Sequence, residues 1–186
     1  MGWKGNDYFM KEKRIKTWSE LRDADGNGVL VDPKKLVDWF DDFLGSNPYT
    51  ALSNFFMGEP IAIPGEGTYL TGEHAFHAGK AATEAGRKKV QRARTADEAK
   101  QIGRAIPMRP DWDDVRVDRM TVVIQAKFTP RRAEADVLLG TGRAKLVEGS
   151  LWNDEFWGVN LEVKGRPGKN HLGRLLSARR AALQRR

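Results

Sequence analysis

Apolar side chains recur at helical spacing from residue 33 onward, where Leu36, Val37, Trp39, Phe40 and Phe43 share one face and Gly45 suits the stop. Pro48 to Phe56 reads as a loop with apolar anchors. Ile61-Ala62-Ile63 is a strand, which Tyr69-Leu70 joins across the turn Pro64-Gly65-Glu66-Gly67. A helix starts near Glu73. Thr95-Ala96-Asp97-Glu98 is a capping box, because a hydroxyl and a carboxylate at that spacing satisfy the free amides of a first turn. The helix it opens ends near Gly103 or Arg104. After Pro107 and Pro110, Asp111 or Asp113 caps a helix running through Met120 and Ile124 to Lys127, and Pro130 opens another that Gly140 and Gly142 end. Residues 145–148 and 159–163 read as strands, and Leu172 to Leu183 as a terminal helix. The sum is an α+β fold, a compact helix-rich single domain with a small β-sheet.

The first 28 residues are polar and weakly periodic. Asp23-Ala24-Asp25-Gly26-Asn27-Gly28 imitates a calcium loop, but the bidentate glutamate of such a loop would fall at Lys34. A turn opening the strand Val29-Leu30-Val31 accounts for it better. Residues 1–28 form a distinct N-terminal part, and the regular pattern begins at residue 33.

Composition narrows the class. The 186 residues are 40% hydrophobic and 31% charged, with no apolar run near the roughly 18 residues of a membrane span. Zero cysteines exclude disulfides, thiolate metal sites and a cysteine nucleophile. The N-terminus lacks the apolar stretch of a signal peptide, so the cytoplasm is the default compartment. A net charge of +7 suggests an anionic partner. Its main carriers are Arg87-Lys88-Lys89-Val90-Gln91-Arg92-Ala93-Arg94 and the tail from Arg174 to Arg186. Either a phosphorylated ligand or nucleic acid suits them, as does a solvated helix face with a frayed basic tail.

Candidate chemistry centres on Thr71-Gly72-Glu73-His74-Ala75-Phe76-His77-Ala78-Gly79-Lys80. On a helix from Glu73, the side chains of Glu73, Phe76, His77 and Lys80 share a face. That mixture suits a half-buried polar site, or else an exposed Glu-Lys helix anchored by Phe76. Trp112, ringed by charge in Arg109-Pro110-Asp111-Trp112-Asp113-Asp114-Val115-Arg116, is a core anchor or a stacking platform. Lys127 ends an apolar helix face and so reaches inward. Glu148 stands at a strand end, and Asn153-Asp154-Glu155-Phe156-Trp157-Gly158 alternates acids and aromatics. The glycine-broken loop from Gly165 to Gly173 runs into the last helix, whose N-terminus beside Lys169 and Asn170 suits a phosphate.

In order, Ser53-Asn54-Phe55, Glu73-His74 to Lys80, Arg109 to Trp112 with Arg116 and Met120, Ala126-Lys127-Phe128, Leu146-Val147-Glu148, Asp154 with Trp157-Gly158, and Gly168 to Gly173 resemble the NADAR domain family over about residues 48–180. The resemblance implies hydrolysis of N-glycosidic bonds; no cofactor is expected, and His74, His77 and His171 form no recognised metal-ligand motif. Its substrates would be ribosylamino intermediates of riboflavin biosynthesis, or ADP-ribosylated guanine, including ADP-ribosylated DNA. Breaking a ribosyl C1–N bond puts positive charge on the sugar, which a carboxylate stabilises. Glu73 is the first candidate and Asp154 the second, while Lys80 or Lys127 could attack C1 and pass through a Schiff base. Substrate contacts fall to Asn54, Phe55, His77, Trp112, Arg116, Glu148, Trp157, Gly158, Lys169, Asn170 and Gly173. His77 and Gly79 stand where family members tend to carry amides, so substrate preference does not transfer. Two other classes compete: a non-catalytic ADP-ribose or nucleotide-binding module, and a nucleic-acid-binding protein using residues 87–94.

Overall fold

The computed structural model describes residues 29–30, 49–130, 132–150, 154–160 and 168–185. These form helices α1 (Gly72–Lys80), α2 (Glu84–Gln91), α3 (Ala96–Ala105), α4 (Trp112–Lys127), α5 (Ala133–Gly140) and α6 (His171–Gln184), with a 3-10 turn at Thr50–Leu52. The strands are short: β1 (Val29–Leu30), β2 (Ile61–Ile63), β3 (Gly67–Tyr69), β4 (Lys145–Leu146), β5 (Gly149–Ser150) and β6 (Val159–Asn160). The fold is thus helix-rich α+β, as the apolar pattern predicts. Contacts divide it into two units, Ser53–Ala135 and Met1–Leu52 with Asp136–Arg186.

In the Ser53–Ala135 unit, β2 and β3 pair antiparallel, Ile61 opposite Tyr69 and Ile63 opposite Gly67. Gly65 and Gly67 supply the positive φ that this tight turn needs (78° and 111°). Helix α1 is the hub, packed by α2, α3 and α4, while α4 also covers β2. Ala75 and Ala78, fully buried, let these neighbours approach the α1 backbone closely. Helix α3 begins at the capping box: Glu98 N donates to Thr95 Oγ1 at 3.1 Å. The Glu98 carboxylate closes the box on Arg94 N at 2.7 Å, one residue before the cap. Such a cap is worth about 1 kcal/mol. The helix runs to Ala105, slightly past the expected end.

Helix α2 has no counterpart in the apolar pattern, because Val90 is its one buried residue. Thr83 starts it by accepting from Gly86 N at 3.1 Å. The basic cluster is therefore largely a solvated face, with Lys88, Lys89, Arg92 and Arg94 exposed.

In the other unit, β1 pairs parallel with β4, placing Val29 beside Lys145 and Leu30 beside Leu146. Parallel pairing also joins β5 to β6. Helix α6 packs on β4 and buries Leu172, Leu176 and Leu183. Arg180 lies in the same stripe, contrary to a frayed solvated tail. Its guanidinium donates to Thr141 Oγ1 at 2.5 Å and Ala144 O at 2.9 Å, and burial lowers its pKa. The expected strand at residues 145–148 is split, with pairing at 145–146 and again at 149–150. The helix at 36–43, the calcium-loop imitation and residues 161–163 lie outside the described residues.

Candidate active site

Helix α1 positions the polar group and begins at a cap that doubles as a clamp. Thr71 Oγ1 accepts from His74 N at 3.3 Å and lies 2.8 Å from His74 Nδ1. On the other side of the ring, His74 Nε2 is 3.1 Å from Ala93 O. A carbonyl only accepts, so Nε2 carries the proton and the threonine hydroxyl donates to Nδ1. Burial lowers the His74 pKa, with the Ala93 carbonyl pulling the other way. His74 is thus a fully engaged core residue.

Glu73 and His77, one turn apart, face each other, with His77 Nε2–H donating to Glu73 Oε1 at 3.2 Å. Both are largely buried. His77 Nδ1 has no hydrogen-bond partner and is pressed against α3 at Gly103, where an added Cβ would come within 2.5 Å of His77 Cγ. Phe76 packs edge-on to His77, ring centres 5.5 Å apart.

Lys127 ends α4 and is only 1% exposed. Its Nζ donates to Ser53 O and lies 5.2 Å from the Phe128 ring centre and 5.8 Å from that of Phe56. Burial pushes its pKa down to about 7; Glu134 pulls it upward and Arg132 downward. A lysine in this state holds much of its side chain as the free amine near neutrality.

Ser53-Asn54 ties the two groups together. While Ser53 O takes Lys127 Nζ, the next carbonyl, Asn54 O, accepts from Glu73 N at 2.9 Å. Asn54 Nδ2 turns to Met120 Sδ at 3.5 Å. Gly72 makes room, since a Cβ there would lie 2.7 Å from Asn54 Oδ1. One dipeptide therefore registers the start of α1 against the end of α4.

The remaining candidates of this unit surround that pair less directly. Trp112 is 5% exposed, its ring centre 5.0 Å from that of Phe76, so it backs the Phe76 ring as a core residue. Phe55 lies under Lys100 Nζ at 5.3 Å. Arg116 reaches Asp113 at 3.4 Å, within one turn of its own helix. Lys80 is half-buried at the end of α1, where its carbonyl accepts from Arg109 N at 3.0 Å.

Asp154, Glu148, Trp157, Gly158, Lys169, Asn170 and Gly173 belong to the other unit. Asp154 Oδ1 accepts from Trp157 N at 2.9 Å, holding a turn. Asn170 has φ 49° and ψ 42°. Its amide clamps the strand, donating from Nδ2 to Leu146 O at 2.9 Å and accepting from Glu148 N at 3.0 Å. Gly173 permits this approach: a Cβ would lie 2.6 Å from the Asn170 amide. At Gly158 a Cβ would lie 3.0 Å from Glu148 Cγ. Lys169 is exposed, with Nζ 5.4 Å from the Phe156 ring centre.

Two buried charges stand outside the expected set. Glu134 faces Lys127 electrostatically and is held by Arg132 at 2.8 Å. Arg119 donates to Ala75 O at 2.6 Å and to Glu66 Oε1 at 2.5 Å, while Tyr69 Oη donates to Glu66 Oε2 at 3.0 Å. Gly79 exists for this arginine, because a Cβ there would lie 2.8 Å from Arg119 Cγ and overlap Nε.

Residues 42–184 match the NADAR domain. N-glycosidase YbiA of Escherichia coli (strain K12) is 36% identical over 140 residues, covering 74% of this chain and 84% of that protein. A riboflavin biosynthesis protein of Vibrio vulnificus (strain YJ016) is 38% identical over 99 residues, 52% of this chain but 26% of that protein. The NMR structure of E. coli YbiA superposes with a TM-score of 0.64 at 33% identity, covering 84% of each chain.

Proposed function

The chain belongs to the NADAR domain family and is an enzyme acting on N-glycosyl bonds; we propose that the bond it cleaves joins ribosyl C1 to nitrogen, with Lys127 as nucleophile and Glu73 as the catalytic carboxylate. The observation that carries this reading is the Ser53-Asn54 dipeptide, whose consecutive carbonyls hold Lys127 Nζ and Glu73 N.

In this reading substrate shifts the Ser53 carbonyl off Lys127, and the free amine attacks C1. The C1–N bond breaks, its electron pair leaves with the base, and a proton passes to the departing nitrogen. Ring opening gives a Schiff base between Nζ and C1. Water then adds to C1, the C1–Nζ bond breaks, and lysine is regenerated beside a free ribose. Glu73, oriented by His77, stabilises the positive charge at C1 and activates the water. Lys80 serves binding, and Asp154 holds its turn.

Exposed cations along and just after α2 favour an anionic substrate. ADP-ribosylated guanine, free or in DNA, and a ribosylamino intermediate of riboflavin biosynthesis are the two forms to test. The riboflavin biosynthesis relatives support the second. In this scheme Arg116 is the candidate phosphate-binding group of the Ser53–Ala135 unit and Lys169 that of the other, where Asn170 and Gly173 serve the clamp on Leu146 and Glu148. Phe55 is the candidate base contact of the Ser53–Ala135 unit, where Trp112 supports Phe76 from behind, and Trp157, Gly158 and Glu148 are those of the other unit. Residues 46–186 form the catalytic domain, and 1–45 an extension packing on it through β1.

Purified protein incubated with both substrates, read by mass spectrometry, should release base from one of them, and Glu73→Gln should release almost none. Tight binding of either substrate with no release by the wild type would favour a binding module instead. Affinity for unmodified DNA that falls steeply with salt and survives Glu73→Gln would favour a nucleic-acid-binding protein.

A further inference from the structure

The mechanism above makes no use of Arg132-Ala133-Glu134, yet this segment carries the buried charge that faces Lys127. Glu134 is 4% exposed; its Oε1 accepts from Arg132 Nη2 at 2.8 Å and its Oε2 from Nε at 3.3 Å. Arg132 is itself anchored, donating to Glu59 O at 2.6 Å and Pro60 O at 3.0 Å. A forked guanidinium fixed at both ends leaves the carboxylate little freedom.

Phe56 and Gly58 relate this carboxylate to Lys127. A Cβ on Gly58 would lie 2.5 Å from Glu134 Oε1 and 2.6 Å from Phe56 Cε1, so the carboxylate and that ring edge meet at one notch. Lys127 Nζ lies 5.8 Å from the centre of the same ring. We propose that Glu134 is a positioning residue for Lys127: clamped by Arg132, its carboxylate decides how far Lys127 is protonated and so the pH range in which the lysine is a nucleophile. The proposal rests on the role in turnover given to Lys127 above.

The electrostatics agree in sign. Burial disfavours the Lys127 ammonium, Glu134 favours it and Arg132 opposes it. Helix α1, packed on α4, carries Glu73, His74, His77 and Lys80, whereas the charges that act on Lys127 are those of Glu134 and Arg132; β2, also packed on α4, carries no ionisable side chain. For Glu134, burial works to raise its pKa, but the hydrogen bond and charge of Arg132 outweigh it, so the carboxylate stays ionised. Removing that negative charge withdraws support from the ammonium, and the lysine loses its proton at lower pH.

The test compares Glu134→Gln, and Glu134→Leu as an apolar replacement needing no partner, with the wild type, folding being checked by circular dichroism. The Lys127 side-chain amine is titrated by NMR of 15N-lysine-labelled protein, with Lys127→Arg to assign the signal. In both variants its midpoint should fall by about one pH unit, and the acid limb of kcat/KM should fall with it. An unmoved Lys127 midpoint in a folded variant overturns the proposal. A midpoint that moves while the acid limb stays in place upholds the control of Lys127 by Glu134 and removes Lys127 from turnover, so the two failures are distinguishable.

Discussion

Lys127 donates its side-chain nitrogen to the carbonyl of Ser53, 74 residues back along the chain. The neighbouring Asn54 carbonyl meanwhile holds the Glu73 amide. A buried amine and a buried carboxylate are costly to a fold that only needs packing. The amine is held by one carbonyl of the dipeptide and the Glu73 backbone amide by the next, and the consequences below separate the cost of the buried charges from the proposed function.

Glu73→Gln should lower turnover by at least about two orders of magnitude, the scale for removing a charge aimed at a developing one. The amide still accepts from His77, so the melting temperature should change little. Near wild-type kcat in the folded variant would remove Glu73 from the mechanism.

Lys127→Met should abolish turnover and raise stability at neutral pH. The sign follows from the depressed pKa: burial lowers Lys127 from 10.5 to about 7, so between those values the unfolded chain binds a proton that the folded chain does not. Wild-type stability therefore rises with pH across that window, by on the order of a few kcal/mol. Denaturant melts at several pH values should show the Met variant's advantage shrinking from pH 7 towards 10. A constant gap would mean that Lys127 is not held with a lowered pKa.

Gly79→Ala should cost about 1–3 kcal/mol, because the new methyl meets the middle of an arginine fixed at both ends. Arg119→Ala, itself destabilising through the loss of Glu66, should make the alanine at 79 nearly harmless. Chemical denaturation of the double-mutant cycle measures this coupling. Purely additive losses would contradict the close approach of the two residues.

Trp112→Ala should lower stability by about 3–5 kcal/mol, the range for emptying a buried aromatic position. Affinity of the surviving folded protein for the ribosylated substrate should change little. A loss of about 1–3 kcal/mol in affinity with an unchanged melting temperature would instead make Trp112 a stacking platform.

The sequence was most legible where a local rule acts alone. The Thr95 capping box, the glycine turn at 64–67 and the apolar face of α4 lie where those rules put them. Lys127 was readable as inward-facing because it follows Val123 and Ile124 on that face. Helix α2 was not readable, since its Glu-Ala-Gly-Arg-Lys-Lys-Val-Gln sequence buries one side chain and signals its start only through Thr83. Arg180 continues the spacing of Leu172 and Leu176, but charge hid it in an otherwise basic tail. Glu134 and Arg119 were hidden for a related reason: what buries them is a partner distant in sequence, Phe56 and Gly58 for one, Glu66 and Ala75 for the other. Asn170 looked like a ligand group beside glycines, yet those glycines serve its clamp on Leu146 and Glu148.

Borohydride added during turnover, followed by peptide mapping, tests the proposed chemistry most directly. A Schiff base at C1 should be reduced to a stable ribosyl adduct on Lys127, absent from Lys127→Ala and still formed in Lys80→Ala. Efficient turnover with no adduct, or with the adduct on Lys80, would contradict the assignment; no adduct at either lysine would leave Glu73 as the base or electrostatic stabiliser.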